Sequence, residues 1–385
     1  MTGPLTITFV MGHAGMSGGV RVVASLADCL HRYGHRVLAV STPLPAHGWV
    51  SRFKPLIGRP APPRDSGQSY FDGLDVDHRI LDRARQVESS DVPDGDAIVA
   101  TWWETAEWVA AMPLAKGAKI YFIQQFEADL NPGTPAGRVE ATWRLPMQKI
   151  VCARWLADLA RDRFDDPHAV TIPNGVSPEL FHAASRGKQV EPTIGMMYST
   201  HPVKCCGLAL EAIAAVRREI PNLRVVAFGT EAASRRLPLP PYACYTRLPR
   251  QSELRDIYSQ CDVWLCASRS EGFHLPPHEA MACRCPVVST RVGGPMDMVT
   301  DGVNGYLVDP GDREALADRL VRVLDLSDVA WRSMSNAALR TALTYSWDGA
   351  ARRFEAVVRE ASERRSGQPE GAPPEPADRG RRVGA

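Results

Sequence analysis

The stretch from Ser268 to Asp309 constrains the fold of this 385-residue chain more than any other. An apolar strand is predicted over Val263 to Cys266, and it leads into a turn that contains Glu271. Pro276 and Pro277 follow at the place where a helix begins, a position that suits proline because its missing N–H would be unpaired there. These parts predict a doubly wound α/β sheet, in which ligands bind at the carboxyl ends of the strands.

Two glutamates flank the start of this predicted helix. Glu271 lies in the turn and Glu279 lies near the start of the helix, with seven residues between them. Both carboxylates are therefore expected at the border of one crevice. The free N–H groups at the start of the helix also suit a phosphate or a diphosphate. For a random pair of glutamates, solvated helix-end charges are the usual explanation, but the strand before this pair and the helix after it favour a ligand site.

The order of residues in this stretch resembles the signature of the retaining GT-B glycosyltransferases of family 4. The resemblance is carried by Glu271-Gly272-Phe273, Leu275-Pro276, Glu279 to Ala282, Pro286 to Val288 and Gly293-Gly294. It implies a GT-B fold, with two Rossmann-like doubly wound domains that face each other across a cleft. It also implies that Glu271 faces the donor sugar as a catalytic residue and that Glu279 holds the ribose of the nucleotide. Gly272, Phe273 and Leu275 are the donor-binding residues implied around them.

The second half of the chain departs from the family pattern at one cation. Lys204 follows a predicted strand and matches a lysine that in the family reaches the donor diphosphate, so we assign it a catalytic role. Met196 or Met197 stands where the family has a second cation, an arginine. Arg269 is the candidate that we assign to donor binding in its place.

Two further positions depart from the pattern. Gln125 follows the predicted strand from Ile120 to Ile123, where family members commonly carry a histidine, and no histidine occurs between His78 and His168. We assign Gln125 a catalytic role in orienting the acceptor, with a backbone carbonyl as the alternative. His274 replaces a family glycine, so its side chain is predicted either to border the donor sugar or to turn aside.

The beginning of the chain predicts a Rossmann-like half. A strand over Thr6 to Met11 is followed by a glycine loop and by a helix over Val20 to Tyr33, but the loop does not match G-x-G-x-x-G. The resemblance implies that Gly18 and Gly19 approach the donor phosphates or the acceptor across the cleft. A plain strand-to-helix turn is the other interpretation. Arg21 is predicted either to touch a phosphate or to point into water.

Composition argues against several other classes of protein. The 45 Lys and Arg residues balance 44 Asp and Glu residues, so no nucleic acid partner is expected. No stretch approaches about 18 consecutive apolar residues, so no membrane span is predicted. No signal segment is recognised, and nine scattered cysteines are typical of reduced thiols, so we expect a cytoplasmic location. No metal is expected, because the one Asp-x-Asp considered, Asp75 to Asp77, lies in a polar stretch rather than at a strand end.

The predicted domains divide the chain in five. They are an acceptor-side Rossmann-like domain (1–175), a hinge (176–192), a nucleotide-sugar-binding Rossmann-like domain (193–345), a helix that crosses back to the first domain (346–363) and a disordered tail (364–385). Within the first domain, residues 43–70 are rich in Pro, Gly and Arg and predict a long surface loop over the cleft.

The predicted function is transfer of a sugar from a nucleotide diphosphate sugar, a co-substrate rather than a cofactor, to an acceptor hydroxyl with retention. The acceptor is unknown: a glycan, a lipid-linked glycan and a small-molecule aglycone all stay open. Two alternatives are a nucleotide-sugar epimerase and a non-catalytic nucleotide-sugar-binding protein, the latter because the family arginine and histidine are missing. Glu271→Ala separates a catalyst from a binder, since only a catalyst loses turnover beyond its loss of donor affinity.

Overall fold

Two parallel β-sheets organise the part of the chain that the computed structural model describes, namely residues 3–43, 69–130 and 133–366. In each sheet the fourth strand pairs with the first strand, on the side opposite the second. The strand order therefore reverses at the first strand of both sheets, which is the doubly wound arrangement. The predicted α/β fold with two Rossmann-like halves is confirmed.

The first sheet has the order β3-β2-β1-β4-β5-β6-β7. Its strands are β1 (Thr6–His13), β2 (Arg36–Thr42), β3 (Asp77–Ile80), β4 (Ala97–Ala100), β5 (Ala118–Ile123), β6 (Gln148–Val151) and β7 (Val170–Thr171). The helices that cover it are α1 (Gly18–Arg32), α2 (Trp103–Ala111), α3 (Ala136–Trp143) and α4 (Arg154–Phe164). Every residue of β4 is buried, as expected for a central parallel strand with helices on both faces.

The second sheet has the order β10-β9-β8-β11-β12-β13. Its strands are β8 (Thr193–Met197), β9 (Arg224–Gly229), β10 (Ala243–Arg247), β11 (Val263–Cys266), β12 (Val287–Thr290) and β13 (Gly305–Val308). Its helices are α5 (Cys206–Glu219), α6 (Gln251–Ser259), α7 (Leu275–Ala282), α8 (Pro295–Met298), α9 (Arg313–Leu324) and α10 (Asp328–Leu343).

The last helix, α11 (Trp347–Ser366), packs on the first domain. Its Phe354 ring lies 5.8 Å from the ring of Phe9 in β1 and 5.7 Å from the ring of Phe122 in β5. At its start, the Tyr33 hydroxyl donates a hydrogen bond of 2.7 Å to Asp348. The second domain is therefore inserted between β7 and the helix that completes the core of the first domain.

The predicted disordered tail begins too early. Helix α11 continues through Arg364, which donates a hydrogen bond of 2.6 Å to the side chain of Gln148 in β6. This contact with the first domain holds the end of the helix. The rest of the predicted tail (367–385) and most of the predicted surface loop (44–68) lie outside the described residues.

Two strands were not predicted from the sequence. Strands β3 and β10 are the edge strands next to β2 and β9, and most of their residues are partly or fully exposed. The central strands were identified from continuous runs of apolar residues. Edge strands are exposed and need no such run. Asp77, read as part of a polar stretch, is the first residue of β3.

None of the helices in the described ranges combines the length and apolarity that crossing a membrane requires. The nine cysteines all lie in these ranges, and all of them are free.

Candidate active site

The order reversal creates one switch point in each sheet. In the first sheet it lies between β1 and β4, and Gly18 and Gly19 begin the helix that follows β1. In the second sheet it lies between β8 and β11, and the loops that follow these strands carry Lys204 and Glu271. Crevices at the carboxyl ends of strands beside a switch point are where open α/β sheets bind ligands. Four of the predicted site residues therefore lie beside a switch point, namely Gly18, Gly19, Lys204 and Glu271.

Glu271 is a buried carboxylate with a cation beside it. Its Oε1 atom accepts a hydrogen bond of 2.6 Å from the Lys204 ammonium and one of 2.7 Å from the Ser268 hydroxyl. Burial alone would raise the pKa of Glu271, but the neighbouring His274 and Lys204 and the two hydrogen bonds hold this pKa below its ordinary value. Glu271 is therefore ionised at neutral pH.

His274 lies beside this carboxylate and does not turn outward. Its side chain is buried, and its Nε2 atom lies 3.6 Å from Oε1 of Glu271. Burial lowers the pKa of His274 to about 4, so the imidazole is neutral at pH 7. Its Nδ1 atom is buried and has no hydrogen-bond partner in the described structure. The backbone φ of +69° is a left-handed value that glycine adopts without strain, which fits a family glycine at this position.

Glu279 lies in α7, and both of its carboxylate oxygens are engaged. The Tyr258 hydroxyl of α6 donates a hydrogen bond of 2.7 Å to Oε2. Arg21, from α1 of the first domain, forms an ion pair with Oε1. Burial would lower the pKa of Arg21, but the Glu279 charge raises this pKa above its ordinary value. Arg21 therefore touches a carboxylate rather than water.

The two domains touch at Gly272. A Cβ atom at this position would lie 1.7 Å from the backbone oxygen of Gln124, at the end of β5. The Trp155 indole N–H of α4 donates a hydrogen bond of 3.0 Å to the Gly272 carbonyl. Only glycine permits so close an approach of two backbones. Next to this contact, the Gln125 side-chain amide donates a hydrogen bond of 3.4 Å to the Ser270 hydroxyl.

The remaining predicted residues lie at different depths. The side chains of Phe273 and Leu275 are buried in the hydrophobic core, and the Phe273 ring contacts the His278 ring. Arg269 is exposed, and its backbone N–H donates a hydrogen bond of 2.9 Å to Val203. Within the described ranges its guanidinium forms no ion pair with Glu271 or Glu279.

The two glycines after β1 differ in their surroundings. A Cβ atom on Gly19 would lie 3.5 Å from the side chain of Gln124, whereas one on Gly18 would meet open space within the described residues. Gly19 is therefore the glycine that faces the loop after β5. The sequence offered no signal for these neighbours, because they belong to distant segments of the chain.

The second domain matches a known family of proteins. Residues 191–326 match the model of the family described as Glycosyl transferases group 1. A D-inositol 3-phosphate glycosyltransferase of Segniliparus rotundus is 30% identical over 206 residues, which are 48% of this chain and 46% of that protein. The match thus spans less than half the length of this relative, and matches to two other relatives, a sucrose synthase of Acidithiobacillus caldus and a D-inositol 3-phosphate glycosyltransferase of Corynebacterium diphtheriae, span 12% and 26% of theirs.

Solved structures match along almost the whole chain. The sucrose-phosphate synthase of Thermosynechococcus elongatus has a TM-score of 0.69 at 16% identity, and the match covers 92% of this chain and 98% of that one. The Anabaena protein HepE, solved in complex with UDP-glucose, has a TM-score of 0.68 at 16% identity over 94% of this chain and 100% of that one. The chain therefore has the two-domain GT-B fold, as predicted.

Proposed function

We propose that the protein transfers a hexosyl-type group from a nucleotide diphosphate sugar to an acceptor hydroxyl, with retention of the anomeric configuration. The observation that carries this proposal is the pairing of Glu271 with Lys204 at the switch point of the second sheet. A buried carboxylate held ionised beside a cation suits a substrate that brings hydroxyl groups and a diphosphate together. The match of residues 191–326 to the glycosyltransferase family covers this site.

The donor side of the proposal has support from two named proteins. The Segniliparus rotundus relative is a glycosyltransferase by name, and the Anabaena neighbour was solved with UDP-glucose. A uridine diphosphate sugar is therefore the first donor to test. Glu279 is the candidate partner of the ribose hydroxyls, and backbone N–H groups of the Gly272 turn are candidate partners of the sugar.

The leaving group gains negative charge as the glycosidic bond breaks, and the enzyme must stabilise this charge. Lys204 lies directly before the first turn of α5, and α7 begins at Leu275, so an ammonium and two helix N-termini lie at this switch point. We propose that these groups neutralise the diphosphate without a divalent metal. Retention would proceed through a short-lived ion pair on one face of the sugar.

The two glutamates are not proposed to act as the carboxylate pair of a glycoside hydrolase. In that chemistry one carboxyl group protonates the leaving oxygen and the other attacks the sugar or activates water. Here Glu271 is ionised beside Lys204, and Glu279 is held by Tyr258 and Arg21. The Glu271 carboxylate therefore has no proton to donate, and both oxygens of Glu279 already accept hydrogen bonds from the protein.

The first experiment is a thermal-shift panel of UDP, GDP, ADP and dTDP and their glucose conjugates. A ligand that binds only the folded state raises its apparent stability. We expect one base and its sugars to raise the unfolding temperature, and that donor then to be consumed only when an acceptor is added. No shift by any of them at millimolar concentration would overturn the donor assignment. Conversion of the donor to another sugar nucleotide with no acceptor present would favour the epimerase.

A further inference from the structure

One buried arginine has no role in the chemistry proposed above. Arg21 lies in the first turn of α1, the end of the helix at which the macrodipole disfavours a cation. Its side chain is only 12% exposed, and its guanidinium carbon lies 6.0 Å from the centre of the Tyr70 ring. A cation that is buried at a helix N-terminus requires an anion close by.

The other domain supplies that anion. Arg21 pairs with Glu279, the carboxylate that the proposed function assigns to the donor ribose. Because Tyr258 occupies the second oxygen of this carboxylate, both oxygens have protein partners. A ribose hydroxyl that binds Glu279 must therefore share the carboxylate with one of these partners or displace it.

We propose that Arg21 exchanges partners when the donor binds, so that the ribose takes Glu279 and the guanidinium turns to the diphosphate. The proposal rests on the proposed function, since it requires a nucleotide at Glu279. A buried guanidinium that loses its carboxylate needs another anion, and the diphosphate is the anion that the donor brings. Guanidinium also binds phosphate oxygens through two parallel hydrogen bonds, which an ammonium does not.

This exchange supplies the cation that the second domain lacks. Met196 and Met197 stand where a second cation beside Lys204 was expected, and Arg269 was the predicted substitute. Arg269 is exposed, whereas Arg21 is buried between the domains and contacts the site directly. Because Arg21 belongs to the first domain, its contact with the diphosphate would also couple donor binding to closure of the cleft.

The test compares the affinities of uridine, UMP and UDP by titration calorimetry in the wild type and three variants. Arg21→Gln is expected to lower the preference for UDP over uridine by ~10-fold, because it removes a charge-assisted hydrogen bond to the diphosphate but none to the nucleoside. Arg269→Gln tests the competing assignment. Arg32→Gln removes an exposed charge from the same helix and should leave the preference unchanged. If the panel above selects another base, its nucleoside series is used.

The outcomes separate the two proposals. If no nucleoside diphosphate binds the wild type, the proposed function and this inference both fail. If UDP binds the wild type but Arg21→Gln weakens the binding of UDP and of uridine equally, only the proposed exchange of partners is overturned. Arg21 is then a residue that joins the domains. A lower preference in Arg269→Gln alone overturns it as well. Should Arg21→Gln fail to fold, Arg21→Lys keeps the charge and must still lower the preference, because the two-pronged contact is lost.

Discussion

The two switch points of this molecule are built from different chemistry. In the second domain, Lys204, Glu271 and Glu279 place three charged side chains at the carboxyl ends of the strands. In the first domain, the corresponding edge offers Gly19, the neutral amide of Gln125 and backbone oxygens, and the charge of its Arg21 is paired with Glu279 of the second domain. The charged edge suits the part of the substrate that carries phosphate, and the neutral edge suits hydroxyl groups.

Two buried glutamates, one in each domain, also differ in charge. Glu271 has Lys204 beside it and is ionised, whereas Glu127, which follows β5 in the first domain, has a carboxylate oxygen with no partner among the described residues. Burial raises the pKa of Glu127 to about 8. The difference teaches that burial alone does not decide the charge of a carboxyl group in this fold; a neighbouring cation does.

The largest effect is expected at the charged edge. Glu271→Gln keeps the shape of the side chain but removes its charge, so we expect kcat to fall by ~10²–10³-fold because the carboxylate no longer offsets the positive charge that develops on the sugar in the transition state. Steady-state kinetics with saturating donor would measure this change. Glu314→Gln, an exposed glutamate of α9, is the matched control and should change nothing. A Glu271→Gln variant with wild-type kcat would assign the catalytic charge to another residue.

The second-largest effect is expected at Gly272, where the two domains touch. Gly272→Ala would force a Cβ atom into the Gln124 backbone, so the domains must separate or the turn must shift. We expect turnover to fall by ~10–100-fold, because the groups of the two domains are misplaced. Small-angle X-ray scattering should report a larger radius of gyration. Gly137→Ala, in a helix where a Cβ atom meets no neighbour within 4 Å, is the control, and equal scattering from both variants would contradict the prediction.

The neutral carboxyl of the first domain predicts a pH effect on stability. The folded pKa of Glu127 is raised from 4.5 to about 8, so the folded protein holds an extra proton between these values and loses stability as pH rises through them. Glu127→Gln keeps a neutral side chain at every pH. Measured by urea unfolding, the free energy of unfolding of this variant should rise relative to that of the wild type by on the order of 1–3 kcal/mol between pH 5 and pH 8. If the unfolding free energies of the wild type and the variant instead change in parallel with pH, Glu127 is already ionised in the folded state and the prediction is wrong.

The smallest effect should come from removing divalent metals. If Lys204 and the helix N-termini stabilise the leaving group, EDTA should change the turnover number by less than about twofold. Turnover assayed with EDTA and again with added Mg²⁺ or Mn²⁺ measures this directly. Activity that requires one of these ions would assign the neutralising charge to a metal.

The sequence predicted the charged edge better than the neutral one, for a physical reason. Glu271 and Glu279 lie within one strand-turn-helix segment, so their spacing carries information that a single chain displays. The ion pair of Arg21 with Glu279 joins segments that are far apart in sequence and belong to different domains. Such a contact depends on how the domains pack, and no local pattern encodes it.

The same distinction applies to the fold. Central strands such as β5 and β11 were predicted because nearly all of their residues are buried and apolar. The edge strands β3 and β10 were missed because their polar residues resemble those of loops. The crossing helix was predicted, but its length was not, since the contact that extends it to Ser366 comes from Gln148.

Helix α11 has a consequence for the order in which the protein is made. The strands of the first domain leave the ribosome before those of the second. Phe354 packs between Phe9 and Phe122 in the core of the first domain, but it is synthesised after both sheets. Domains generally fold as units while the chain emerges. The second domain has all of its strands before α11 appears, so the half that is synthesised first is the last to complete its core.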